Sequence, residues 1–143
     1  MDRAREDDRN PDFVVCPDKV ADSESLEFSR SWADICRGGL PETPCFLAVQ
    51  DGMKITPDTL EGFDGVFVGG TIPWKIRTGE KWTQLAHSVG LQCHIGRVGT
   101  AKRVKWAQRI GADSIDSSLP LWSKDNLRIF VTALNNRQIE LFS

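Results

Sequence analysis

Asp18, Gln50, Gly69-Gly70, Gly96-x-x-Gly99-Thr100 and Asp116 are the positions in this chain whose types could act together on a planar polar ligand. A carboxylate and a side-chain amide, with backbone N–H groups freed at glycines, can read both donors and acceptors on a heterocycle. Guanine suits such a set. A carboxylate accepts from its N1–H and 2-amino group, while amide and backbone donors serve O6. A second carboxylate could attack an anomeric carbon through an oxocarbenium-like transition state. Gly96-x-x-Gly99-Thr100 opening a helix could cradle a phosphate, although many loops share this short pattern. Each member also has a purely structural reading, as a turn or N-cap aspartate or a tight glycine turn.

These residues matter together because of the elements that carry them. Phe13-Val14-Val15-Cys16, Cys45 to Val49, Gly65 to Val68, Leu91 to Ile95 and Ser114-Ile115 read as short buried strands. Helical spacing fills the intervals. Ser23 is placed to cap a helix over about 24–37 that Gly38-Gly39 stops. A short turn follows Thr56-Pro57, and a helix is predicted over 78–89 with Trp82, Leu85, Ala86 and Val89 inward. Thr100 caps another through Ile110, and Ser123 a last one over about 124–134. Strands alternating with helices imply right-handed βαβ units and a parallel sheet. In such a sheet every βα loop opens on the rim at the carboxyl ends of the strands, where Asp18, Gln50, Gly69, Gly96 and Asp116 all fall.

The chain has 143 residues, 40% hydrophobic and 27% charged, which excludes a disordered chain or a disulfide-dense scaffold. A closed (β/α)8 barrel needs about 250 residues. The expected architecture is therefore α/β, a partial barrel of about five βα units over 12–143, preceded by an acidic tail over 1–11. No apolar run is long enough for a membrane span, and no secretory leader is legible, so a cytoplasmic protein is expected. The four cysteines, Cys16, Cys36, Cys45 and Cys93, have neither a CxxC pair nor metal-ligand spacing, and read as reduced buried thiols. Net charge is −2, but Lys75, Arg77, Lys81, Arg97, Lys102, Arg103, Lys105 and Arg109 form a basic stretch interrupted only by Glu80. Such a stretch either tracks a phosphate backbone or is a solvated helix face. Trp32, Trp82 and Trp106 fit apolar helix faces; Trp74, beside Lys75, is the tryptophan kept as a ligand contact. His94 reads as a satisfied strand histidine rather than a metal ligand.

The segments Phe13-Val14-Val15-Cys16-Pro17-Asp18, Ala48-Val49-Gln50-Asp51-Gly52, Phe63 to Gly70, His94-Ile95-Gly96-Arg97-Val98-Gly99-Thr100 and Gly111 to Asp116 occur in an order that resembles the tRNA-guanine transglycosylase superfamily. The likeness is to its shorter phage and bacterial branch, queuine tRNA-ribosyltransferase-like, some of whose members modify DNA. The resemblance implies a (β/α)8-barrel enzyme, a pentosyltransferase that exchanges guanine in tRNA or DNA for a free 7-deazaguanine of the preQ0, preQ1 or queuine type. By the resemblance, Asp116 is the catalytic nucleophile, and Asp18, Gln50, Gly69, Gly70, Ile95 and Gly96 surround the base. Asp113 matches an acidic family position with a structural part. Trp74, Lys75, Arg97, Thr100 and Arg103 are the expected contacts to phosphate or nucleic acid. The family's second catalytic aspartate belongs to a segment upstream of all of these, and its zinc-binding Cys-x-Cys-x-x-Cys…His module has no counterpart here. No metal and no cofactor are therefore expected. Thr71, where members that take an aminomethyl base often carry leucine, leaves the incoming base open.

Two other readings stand beside this one. The chain could be a nucleobase-binding or nucleic-acid-binding subunit that keeps the pocket without turnover. It could instead be an unrelated phosphate-binding barrel enzyme built on Gly96 to Thr100. An open parallel sheet also exposes two edges, so self-association or a partner that completes the barrel is expected.

Overall fold

A computed structural model of the chain describes residues 11–18, 24–117, 124–125, 128, 131–132 and 140–142. In chain order the elements are β1 (Val14–Val15), α1 (Ser25–Gly39), β2 (Cys45–Val49), α2 (Pro57–Leu60), β3 (Gly65–Val68), α3 (Ile72–Ser88), β4 (Gln92–Ile95), α4 (Ala101–Arg109), β5 (Ser114–Asp116) and β6 (Glu140–Phe142). The strands lie side by side in sequence order, and every pairing is parallel. An order that never reverses is the winding of a barrel, whereas a doubly wound sheet reverses at a switch point. The sheet also curls. Strands sit about 4.8 Å apart, so β1 and β4 would be separated by about 14 Å in a flat sheet. Phe13, immediately before β1, nevertheless brings its ring centroid within 5.2 Å of that of His94 on β4. The fold is a partial α/β barrel.

Alternation along each strand divides the side chains between two faces. Leu47, Val49, Val66, Val68, Cys93, Ile95 and Ile115 meet the helices, and with Trp82, Ala86, Val104 and Ala107 they form the buried core. The leucine, valine and isoleucine side chains among them contribute about 1.5–3 kcal/mol each when fully buried. The opposite, concave face carries Phe46, Phe67, His94, Ser114 and Asp116, whose register aligns them across neighbouring strands. Gly65 and Gly96 make room for phenyl rings there. A Cβ on Gly65 would lie 2.3 Å from the Phe46 ring, and one on Gly96 would lie 2.7 Å from that of Phe67.

The amino-terminal rim is fastened by a device used twice. Asp64 accepts from the Cys45 N–H at 2.8 Å while its own N–H donates to the Cys45 carbonyl. Asp113 does the same with Cys93, and also accepts from His87 at 2.8 Å. Asp113 therefore ties β5 to β4 far from the carboxyl rim.

Several sequence expectations need correction. Helix α3 begins at Ile72 rather than 78, because Pro73 stands in its first turn, where a missing N–H costs nothing. Helix α1 runs through Gly38-Gly39 and is closed at Leu40. Trp32 is 37% exposed and Val89 46% exposed, so neither belongs to the core. β6 is an additional strand, a three-residue segment too short for alternation to reveal. The predicted cap Ser23 and most of the acidic tail lie outside the described residues. So does most of the last helix, although Lys124, Asp125, Arg128, Val131 and Thr132 are helical. Among the described residues no helix is long and apolar enough to cross a membrane.

Candidate active site

A cleft of about 760 Å³ opens at the carboxyl ends of β1 to β4. It is lined by Asp18, Gln50, Gly69, Gly70, Lys75, Gly96 and Arg97, together with Val15, Ala48, Asp51, Phe67 and Thr71. Its volume is that of a small-molecule site. The strands end in polar residues here because their apolar runs stop at the rim, leaving the loops to turn in water.

The floor near β2 and β3 is tightly specified. Asp51 accepts from the Thr71 N–H at 2.8 Å and from its hydroxyl at 2.7 Å, and these bonds hold its carboxyl below the usual carboxylate range. This ties the β2 loop to the start of α3. Gly70 lies between them at φ +78°, where a Cβ would come within 2.5 Å of Asp51 Oδ1 and 2.8 Å of the Trp74 ring. Only glycine satisfies both the backbone and the space. Gln50 is buried, its amide donating to Ser25 on α1 at 3.4 Å.

Asp116 closes β5 beside the cleft. Its Oδ2 accepts from His94 Nε2 at 2.7 Å and its Oδ1 from the Arg97 N–H at 3.0 Å. A ring nitrogen facing a carboxylate carries the proton, so in the neutral ring His94 Nδ1 accepts from the Ser114 hydroxyl at 2.7 Å. Burial works against the Asp116 charge, but the His94 bond, the Arg97 N–H and nearby Lys75 outweigh it and hold its pKa below the ordinary value. Arg97 adopts φ +53°, an unusual conformation for a non-glycine residue, and this aims its N–H at the carboxylate. The His94 ring is buried and stacks on Phe67, with centroids 4.9 Å apart.

Lys75 is 4% exposed and donates to the Gly96 carbonyl. Desolvation pushes its pKa down, as do Arg97 and Arg103, while Asp116 pulls it up. A buried cation at the wall of a cleft that also holds Arg97 makes that end of the site attractive to anions.

Not every expected residue reaches the cleft. Ile95 is fully buried on the helix-facing side, because alternation sends its neighbours His94 and Gly96 to the concave face instead. Trp74 is buried behind Gly70, 6.3 Å from Trp82, and so offers no open stacking surface. Thr100 spends its hydroxyl on the Arg103 N–H at 3.2 Å as the cap of α4, and neither residue lines the cleft. The His94–Asp116 contact was not anticipated; the signal that could have found it is the shared inward parity of His94, Ser114 and Asp116 on adjacent strands. No protein-family model matches the chain, and no curated protein does.

Proposed function

We propose that this chain carries the base-reading and sugar-attacking half of a base-exchange glycosyltransferase, which replaces guanine in tRNA or DNA with a 7-deazaguanine. The supporting observation is that Asp18, Gln50, Gly69, Gly70 and Gly96, which lie far apart in sequence, line one cleft, and Arg97 in its wall bonds directly to Asp116. In this reading Asp18 accepts from the N1–H and 2-amino edge of the base, and the Gln50 side with the Gly69-Gly70 backbone serves O6. An Asp116 oxygen forms a bond to C1′ as the C1′–N9 bond breaks, and the electron pair leaves on guanine N9, which takes up a proton. The incoming base loses its N9 proton, attacks C1′, and the aspartyl ester breaks to return the carboxylate. His94 and the Arg97 N–H position the nucleophile, and Lys75 with Arg97 attracts the phosphate backbone.

The test is incubation of the chain with guanine-containing tRNA and, separately, guanine-containing DNA, followed by denaturing intact-mass analysis. A covalent protein–nucleic acid adduct lacking one guanine supports the proposal, and the substrate that forms it identifies the natural polymer. A second reading, a nucleobase-binding subunit without turnover, is favoured by the hydrogen bonds that already engage both Asp116 oxygens. Guanine binding with no adduct on either polymer would select it. Replacing Asp18 with alanine is expected to weaken binding of free guanine by about 10- to 100-fold in calorimetric titration, the worth of a charge-assisted hydrogen-bond pair. Unchanged affinity would favour a phosphate-binding enzyme that makes no use of Asp18.

The partner we propose is a second copy of the chain. Among the described residues β1 and β6 each pair on one side only, and open parallel edges invite pairing. Sedimentation at micromolar concentration is expected to give a dimer; a strict monomer that unfolds cooperatively would remove the requirement for a completing partner.

A further inference from the structure

Three cysteines that lie 20 and 9 residues apart in the sequence converge behind the β1 end of the cleft. The Sγ atoms of Cys16, Cys36 and Cys45 all lie within 4.8 Å of one another. Cys16 follows β1, Cys36 is on α1 and Cys45 opens β2, so the cluster joins the outermost strand to the first helix and the second strand. Cys16 and Cys45 are fully buried, and Cys36 is half-buried. Burial first, then the neighbouring sulfurs, push Cys16 up to about 12, and burial also raises Cys45. The cluster is short of conventional partners as well. Apart from its sulfur neighbours, Cys45 makes a weak 3.9 Å contact with the Thr43 carbonyl, and the buried Thr43 hydroxyl has no partner among the described residues. An unsatisfied buried polar atom in a native structure often marks a missing water or ion.

We propose that Cys16, Cys36 and Cys45 form a three-thiolate site for a single zinc-class dication. In a tetrahedral zinc site with Zn–S near 2.3 Å, the sulfurs are about 3.8 Å apart. The present separations need to close by only about 1 Å, within the reach of side-chain rotation. The dication displaces the S–H protons to solvent, one for each sulfur that becomes a ligand, and no electron is transferred. Charge supports a dication over a monovalent soft ion. Three thiolates around M²⁺ leave one negative charge, the smaller charge to hold in a buried site, against two around a monovalent ion. The half-exposed Cys36 side leaves the fourth position to water. Such an ion would clamp the two-residue strand β1 in place and, through it, Asp18 two positions beyond Cys16. The site is independent of the glycosyltransferase reading.

The experiment begins with the whole chain, reduced and stripped of metal by a chelator, and titrates it with Co²⁺ and then Zn²⁺. One equivalent of Co²⁺ is expected to give intense near-ultraviolet sulfur-to-cobalt charge transfer and visible bands of a tetrahedral ion, both abolished by Zn²⁺. Cys36→Ser, at the most exposed position, is expected to lower Zn²⁺ affinity at least about 100-fold, since even outer-shell changes cost 10- to 100-fold. Cys93→Ser, whose thiol instead contacts Thr83, is expected to retain one equivalent. Because the cobalt spectrum of the parent chain reports sulfur ligation directly, a poorly folding variant leaves the proposal testable. Absence of charge transfer with all thiols free to alkylation, or loss of two thiols to a disulfide without metal, overturns it.

Discussion

An Asp116→Asn chain is expected to form no covalent adduct with guanine-containing nucleic acid, and to exchange bases at less than about one-thousandth of the parent rate. It should still bind free guanine. The amide keeps the shape of the carboxylate, and its oxygen can still accept from His94 Nε2 or the Arg97 N–H, so the rim is preserved while the nucleophile is lost. Intact mass and single-turnover exchange of labelled guanine measure both parts. An adduct that survives the substitution would move the nucleophile elsewhere. The same variant separates a pH effect. The Asp116 pKa is lowered in the folded chain, so the unfolded state binds its proton more readily. Its contribution to stability is present above the unfolded-state value of about 3.9 and is lost as pH falls through the lower folded value. Asp116→Asn should therefore be less sensitive to acid over that window, read as a smaller drop in unfolding midpoint between pH 5 and pH 3.

Gly65→Ala is expected to destabilise the chain by about 3 kcal/mol, at the upper end for overpacking. The added methyl would meet three atoms of the Phe46 ring at 2.3, 2.4 and 2.6 Å. Neither side can retreat easily. Phe46 is 1% exposed and stacked on Phe13 with centroids 4.3 Å apart, and Gly65 is held between β2 and β4 by backbone pairing on both sides. Urea unfolding measures the loss, and Phe46→Leu in the same chain should recover at least half of it, a coupling that independent sites would not show. A Gly65→Ala chain as stable as its parent would mean that the concave face is not packed as described. The effect reaches the site because the same aromatic layer, through Phe67, supports the ring of His94.

Much of the fold was legible because α/β sequences carry their periodicity locally. Buried runs of four or five residues, bounded by glycine or proline, located β2, β3 and β4 to within a residue, and Thr100 marked the start of α4. Where local signals conflict, the reading failed. The helix predicted from 78 starts at Ile72 with Pro73 in its first turn, and the six added residues include Trp74 and Lys75, both buried. The family resemblance puts Ile95 beside the base, although strand parity turns it to the opposite face.

The string of residues determined which groups reach the carboxyl rim, since strand ends and turns follow from hydrophobic runs and glycines within a few positions of each other. Asp18, Gln50, Gly69, Gly70 and Gly96 could be gathered on that basis alone. Pairing across strands is different in kind, because it depends on register between segments 20 or more residues apart, and a one-residue slip would exchange every inward side chain for an outward one. The contact of His94 with Asp116, the burial of Lys75 against the Gly96 carbonyl and the meeting of Cys16, Cys36 and Cys45 all depend on such register or on helix packing. They exist only once the strands have paired in register and the helices have packed against them.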